Sequence, residues 1–213
     1  MIEPVIIYHP WYTIGYPTVS VECPERVMEI REALAPHYAF VEPEPAREAD
    51  LRRVHTQELI ESVRRDDRGL FEAAALAAGG AIRAAREAVA GRPAFGLIRP
   101  PGHHAGPDHN WGFCFFNNMA VALAALLEEK LIKGALVLDF DLHFGDGTDN
   151  YFSQDSRVTV FNVDRVTDRR MYMDSVRLAL DLAKNVDIIG VSAGFDIGEL
   201  DWGGLLTTKD FNE

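Results

Sequence analysis

The sequence is short of cysteine, of cationic charge and of long apolar runs. Its two cysteines, Cys23 and Cys114, lie far apart and form no CxxC pair. That excludes a disulfide framework and a cysteine-type metal motif, and leaves reduced thiols of the kind a cytoplasmic protein keeps. Lysine and arginine number 21 against 33 aspartates and glutamates, for a net charge of -12. A phosphate backbone wants a basic surface, so this balance argues against nucleic acid as a partner. It is compatible with a cationic substrate or simply with solubility. The longest apolar run, Met119 to Leu127, cannot cross a bilayer. Met1-Ile2-Glu3-Pro4 lacks the basic-then-apolar pattern of a signal peptide. The expectation is a cytoplasmic protein with no membrane partner. There is no repeat, low-complexity tract or linker, so the 213 residues are expected to form one domain with a sizeable core. Oligomeric state is left open, a homo-oligomer included.

What is present is an alternation of strands and helices. Val5–Tyr8, Ala94–Ile98, Ala135–Phe140, Val158–Val163 and Val186–Ser192 read as short apolar strands. Glu25–Leu34, with Pro24 ahead of its first turn, reads as a helix. So do His55–Arg65, the Ala-rich Leu70–Ala90, Asn118–Lys130 and Tyr172–Ala183. Gly79-Gly80 is expected to interrupt the Ala-rich helix and to mark close packing against a neighbour. Near-continuous apolar strands alternating with helices predict an α/β fold whose sheet is mainly parallel and covered on both faces. Thr207-Thr208-Lys209-Asp210 looks like a helix start, so the chain is expected to be incomplete at its C-terminus.

Three polar segments each follow a predicted strand, and the carboxyl ends of parallel strands are where ligands bind in such sheets. In Asp139-Phe140-Asp141-Leu142-His143-Phe144-Gly145-Asp146, residues two apart point the same way in an extended chain. Asp139, Asp141 and His143 can thus share a face, and carboxylate with imidazole is a part-site for zinc. In Arg99-Pro100-Pro101-Gly102-His103-His104, the adjacent histidines suit general acid–base work, with a second metal ligand as the rival reading. His9, His37 and His55 are assigned to ordinary packing or surface roles. Val191-Ser192-Ala193-Gly194-Phe195-Asp196 is weak alone, since one Asp after a Gly is often a turn residue. Its value is positional: Asp196 would supply a third ligand from another strand, leaving zinc an open position for water. The segment from Asn110 to Asn118 reads either as a buried loop ahead of a helix or as an apolar wall for a narrow substrate channel, with Gly112 allowing close backbone approach.

Taken together and in order, Arg99–His104, Trp111–Asn118, Asp139–Gly147 and Ser192–Asp196 resemble the histone deacetylase and acetylpolyamine amidohydrolase superfamily. Pro24-Glu25-Arg26 resembles its first active-site loop. The resemblance implies an arginase/deacetylase-like fold of three layers, αβα, around a central, mainly parallel sheet. It makes Asp141, His143 and Asp196 the zinc ligands and His104 the general base and then acid. His103 would support His104 electrostatically, Asp139 would pair with His103 and Asp146 with His104. Gly112 and Phe113 would line the channel for an acyl-lysine-like chain. Backbone carbonyls around 139–143 would hold a structural potassium ion. The implied reaction is zinc-dependent hydrolysis of an N-acetyl amide, on an acetyl-lysine peptide or an acetylated small-molecule amine such as an acetylpolyamine, giving acetate and the free amine.

The likeness departs at two points. The superfamily's oxyanion tyrosine sits in a Gly-Gly-Tyr segment well beyond the last ligand, and no such segment follows Asp196 here. Tyr12, Tyr16 and Tyr172 are candidate substitutes, with nothing in the sequence to choose among them. The stretch 164–170 is also shorter than the Gly-rich loop expected there. The alternative reading is a non-catalytic zinc-binding module that recognises acylated ligands. An arginase-like site with two manganese ions would need an Asp-x-Asp pair, which Gly194-Phe195-Asp196-Ile197-Gly198 lacks.

Overall fold

The computed structural model describes residues 2–65, 69–163 and 168–212. The chain falls into two compact units, Met1–Ile132 with Asp146–Tyr151, and Lys133–Gly145 with Phe152–Glu213. Each is built on a three-stranded, all-parallel sheet. The α/β class and the parallel pairing expected from the sequence are borne out.

In the first unit, β1 (Val5–Ile7) lies between β2 (Ala39–Val41) and β3 (Ala94–Gly96), with Val5 opposite both Ala39 and Ala94. Every β1 side chain is buried, which is what a central parallel strand read from an unbroken Val-Ile-Ile run should do. Ile6 and Tyr8 share a core with Tyr12, with Val27 of α1 (Glu25–Leu34), and with Leu76 and Ala77 of α4 (Leu70–Val89). Between them come two short helices, α2 (Glu48–Leu51) and α3 (Gln57–Arg64). The hydroxyl of Thr56 caps α3 by accepting the Leu59 N–H. Alpha-helix α5 (Asn118–Glu128) packs on α4 and is apolar nearly all round, so it is buried from Ala120 to Leu127.

One expectation is corrected here. Gly79-Gly80 does not interrupt α4, which runs unbroken from Leu70 to Val89. The glycines do mark close packing: a Cβ at Gly79 would run into the Glu44 carbonyl, and one at Gly80 into the Tyr12 hydroxyl. The helical cost of two glycines, about 1 kcal/mol each, is offset by the contacts that this approach permits.

In the second unit, β4 (Ala135–Asp139) is central, with β5 (Val158–Asn162) on one side and β6 (Ile188–Ser192) on the other. All five β4 residues are buried. Each buried Val or Leu there contributes about 1.5–3 kcal/mol of apolar transfer, so the strand is fixed in place up to its polar end. Alpha-helix α7 (Arg169–Leu182) starts at Asp168, whose carboxylate accepts the Met171 N–H. It packs Tyr172, Met173 and Ala179 against Leu138, Val163 and Ile197. In chain order α6 (Asp146–Phe152) comes between β4 and β5, but its residues 146–151 belong to the first unit. The 210–212 segment is a 3-10 turn where a helix start was expected. Of the expected short loop at 164–170, residues 164–167 lie outside those described. Both cysteines are free thiols. Among the described residues, no helix is long and apolar enough to cross a membrane.

Candidate functional site

Strand β4 ends at Asp139, and the chain then turns through 140–145. Asp139 is buried and takes the Asp141 backbone N–H on Oδ1, which sets the direction of the next two residues. The Asp141 carboxylate accepts the backbone N–H of His143 at 2.8 Å. Asp196 arrives from the far end of β6 and accepts the Leu142 N–H on Oδ1 at 3.1 Å. This meeting requires Gly194, because a Cβ there would fall inside the Asp141 side chain. The Asp after a Gly therefore marks a forced close approach rather than an ordinary turn.

The result is one cluster. Ligand-capable atoms of Asp141, His143 and Asp196 all lie within 4.8 Å of one another, and all three residues are half-buried. His143 Nδ1 stands 3.1 Å from Asp141 Oδ1 and 3.0 Å from Asp196 Oδ2. Two carboxylates and an imidazole form the mixed O/N donor set that zinc prefers, and bonds of about 2.0–2.2 Å put such donors just over 3 Å apart. The donor set and its spacing fit the ion with little movement. The exposed Trp202 sets its ring edge-on to the His143 ring at 5.7 Å. No local pattern in the sequence singled it out.

Tyr172 donates its hydroxyl to the Phe140 carbonyl at 2.9 Å. Burial first, then the charges of Asp139, Asp141 and Asp196, push its pKa up and keep it protonated. Tyr12 is likewise committed, to the Leu76 carbonyl at 3.0 Å, and Tyr16 is buried beneath the Arg99 guanidinium, 4.2 Å from its ring. Burial raises both of their pKa values, so none of the three tyrosines stands as an exposed oxyanion donor. Two carbonyls assigned by resemblance to potassium, those of Asp139 and Phe140, accept from Val163 N–H and from Tyr172. The potassium expectation gains no support.

In the first unit, the loop after β3 carries the histidine pair. The rings of His103 and His104 lie 4.0 Å apart. His104 is buried, and its Nδ1 faces Asp146 Oδ1 at 2.7 Å, the pairing that the resemblance implied. Asp146 opens α6, where a carboxylate is favoured by the helix dipole. Trp111 donates its indole N–H to Asp146 Oδ2 at 2.9 Å, and its ring covers that of His104. The turn from Trp111 to Cys114 is closed by a 3.0 Å backbone bond, with φ positive at both Gly112 (56°) and Phe113 (51°), the mark of a mirror-image turn. At Gly112 a Cβ would come within 2.7 Å of His104 Cδ2. Gly112 thus serves the close approach to His104.

The loop itself is held from below. Thr148 N–H donates to the His103 carbonyl at 3.1 Å, and the Asn117 amide donates to the Ala105 carbonyl at 3.0 Å. Asn117 also caps α5 through the Ala120 N–H. His55, read from sequence as an ordinary histidine, is part of this support. It is buried, its Nδ1 meets the Gly106 carbonyl at 2.9 Å, and its Nε2 accepts the Asn117 N–H at 2.9 Å. Those partners demand a neutral ring protonated on Nδ1. Burial holds its pKa at about 4, against 6.5 ordinarily. Above pH 6.5 the ring is neutral in both folded and unfolded chains. As pH falls towards 4 the unfolded chain takes up the proton and the folded one does not. Stability is therefore complete above the unfolded value and declines through this window, by about 3 kcal/mol at most. Urea midpoints at pH 7 and pH 5 are expected to show this decline, and His55→Gln to flatten it. A native midpoint equal at both pH values would contradict a His55 ring kept neutral by burial.

Comparison with known proteins places the chain among deacetylase relatives. A family profile, the histone deacetylase domain, matches residues 20–175. Histone deacetylase 18 of Arabidopsis thaliana is 36% identical over 178 residues, covering 69% of this chain and 26% of its own length. A probable deacetylase of Archaeoglobus fulgidus is 42% identical over 135 residues, covering 56% of this chain and 37% of its own. A histone deacetylase-like amidohydrolase of Pseudomonas aeruginosa is 38% identical over 133 residues, covering 54% and 35%. The chain thus spans about a quarter to two fifths of the length of these curated relatives. The crystal structure of the HDA15 HD domain matches with a TM-score of 0.80, over 91% of this chain and 72% of that one, at 24% identity. That is a likeness of fold, and it agrees with the α/β class and parallel pairing of the strands. Asp196 lies beyond the span that the family profile matches, so its place in the cluster rests on geometry.

Proposed function

The chain belongs to the histone deacetylase domain family, and on that premise we propose that it hydrolyses the N-acetyl amide of an acetylated amine, an acetyl-lysine peptide or an acetylated polyamine, with zinc held by Asp141, His143 and Asp196. The observation that carries this reading is the convergence of those three ligand atoms within 4.8 Å. A zinc ion there would act as a Lewis acid towards the acetyl carbonyl and the attacking water. The family resemblance assigns the proton transfer to His104. His104, with Nδ1–H directed to Asp146, presents Nε2 as the base that takes the water's proton and returns it to the departing amine. Asp146 stabilises the imidazolium formed in between. His103, stacked beside it, gives electrostatic support. Asp139 orients Asp141 through its backbone N–H, and Gly112 and Phe113 are assigned to the wall of the substrate channel. Acetate and the free amine are the products.

Purified protein given one equivalent of zinc is expected to release acetate from acetyl-lysine peptides or acetylpolyamines, and a chelator to stop it. No acetate from any substrate of either kind would sink the deacetylase reading for this chain.

A further inference from the structure

Trp111 touches both members of the His104–Asp146 pair. Its indole N–H donates to Asp146 Oδ2 at 2.9 Å, and its ring lies 3.9 Å from the His104 ring at a tilt of 32°. The mirror-image turn described above fixes the backbone on which it stands. Yet it is half exposed, so burial in an apolar core does not explain its placement.

The chemistry of indole makes the contact informative. Indole Nε1 can only donate, so Asp146 Oδ2 is an acceptor. The other oxygen, Oδ1, faces His104 Nδ1 at 2.7 Å. A carboxylate already accepting a hydrogen bond on one oxygen favours its anionic form. The shared proton then belongs on His104 Nδ1, and the basic lone pair of the imidazole on Nε2. The stacked indole face also restrains the plane of the imidazole and attracts it once it is charged.

We propose that Trp111 is a positioning residue for His104, holding Asp146 as a doubly hydrogen-bonded carboxylate and thereby setting the tautomer and basicity of the general base. The inference rests on the reading of His104 as that base. Asp146 from α6 and His103 from the same loop are titratable groups that face the His104 ring. Without the indole N–H, more of the carboxylate's charge is directed at the His104 Nδ1–H, which favours the imidazolium.

Trp111→Phe keeps an aromatic ring in the turn and removes the N–H donor. In the zinc-loaded protein, the His104 titration followed by NMR of 15N-labelled histidine, assigned with His104→Gln, is expected to move up by about 0.5–1 pH unit. The acid limb of kcat should move with it, while KM stays within about twofold, because a base held protonated slows the chemistry without weakening binding. The shift should vanish when Trp111→Phe is made in an Asp146→Asn background, since the indole acts through that carboxylate. An unmoved titration and acid limb with a lowered Tm would make Trp111 a packing residue and overturn the proposal, as would an equal shift in the Asp146→Asn background. If the native protein releases no acetate, the deacetylase reading fails by itself, and the NMR titration still decides the role of Trp111.

Discussion

Asp196→Asn is expected to abolish tight zinc binding while leaving the fold in place. The substitution is chosen for what it keeps. Asparagine retains the Oδ1 that accepts the Leu142 N–H, and the backbone bond from Gly203 N–H to the residue 196 carbonyl is untouched. What goes is the anionic Oδ2 that faces His143 Nδ1 at 3.0 Å. Zinc sites with three protein ligands lose about 10–100-fold in affinity from changes to residues that merely orient a ligand, so loss of a ligand's charge should cost at least about 10²-fold. Two readouts separate this from misfolding. Native protein at a free zinc concentration of about 100 Kd gains roughly 2.7 kcal/mol of stability by mass action, seen as a rise in Tm. The variant should show no rise at that concentration, with a metal-free Tm close to that of the native protein. Acetate release should fall by at least about 10²-fold alongside. A variant that keeps native zinc stoichiometry and turnover would remove Asp196 from the metal set.

How much of this was readable beforehand depended on how far apart the interacting residues lie in the chain. The β4 strand was legible because five buried residues in a row leave no other reading of Ala-Leu-Val-Leu-Asp after a turn. Helix α1 was legible because proline precedes it and its composition suits a helix. Strand β2 was missed: it is only three residues long and half exposed, too brief to show a period. Helix α6 was missed because Asp-Gly-Thr-Asp-Asn is poor helix sequence, held by tertiary bonds such as that of Thr148 N–H to the His103 carbonyl. The Asp141, His143 and Asp196 cluster was expected from the two-residue spacing of its first members, from a third carboxylate after a strand and, more strongly, from the family resemblance, and the three side chains do converge. The residues that support the histidine loop were not expected, because their partners are remote: His55 and Asn117 are 62 positions apart, Trp111 and Asp146 are 35 apart. A lone histidine or tryptophan carries no local sign of such a partner.

The most remote of these pairs carries the largest expected stability effect. Arg99, directly before the loop of the histidine pair, is buried with Glu22, 77 positions earlier. Its guanidinium gives Nε to Glu22 Oε1 at 2.6 Å and Nη2 to Oε2 at 3.0 Å. Its Nη1 donates to the carbonyls of Tyr12 and Ile14 at 3.0 and 2.9 Å. One side chain therefore ties the aromatic loop after β1 to the loop that bears His103 and His104. Arg99→Met leaves a buried carboxylate without its cation and two carbonyls without this donor. Removing one partner of a buried pair costs about 3–5 kcal/mol, a large fraction of the roughly 5–15 kcal/mol that holds a folded domain. The urea midpoint should fall accordingly, and acetate release should fall with it, because the loop beneath the proposed base loses its anchor. The pair itself is a different matter. Its Coulombic gain is spent largely on desolvation, so Arg99→Met combined with Glu22→Leu should recover much of the loss, short of the two carbonyl bonds. If Arg99→Met alone unfolds within about 1 kcal/mol of the native protein, the buried pair does not anchor the loop. If the double variant is no better than the single one, the cost lies in the lost carbonyl bonds and packing rather than in the stranded charge.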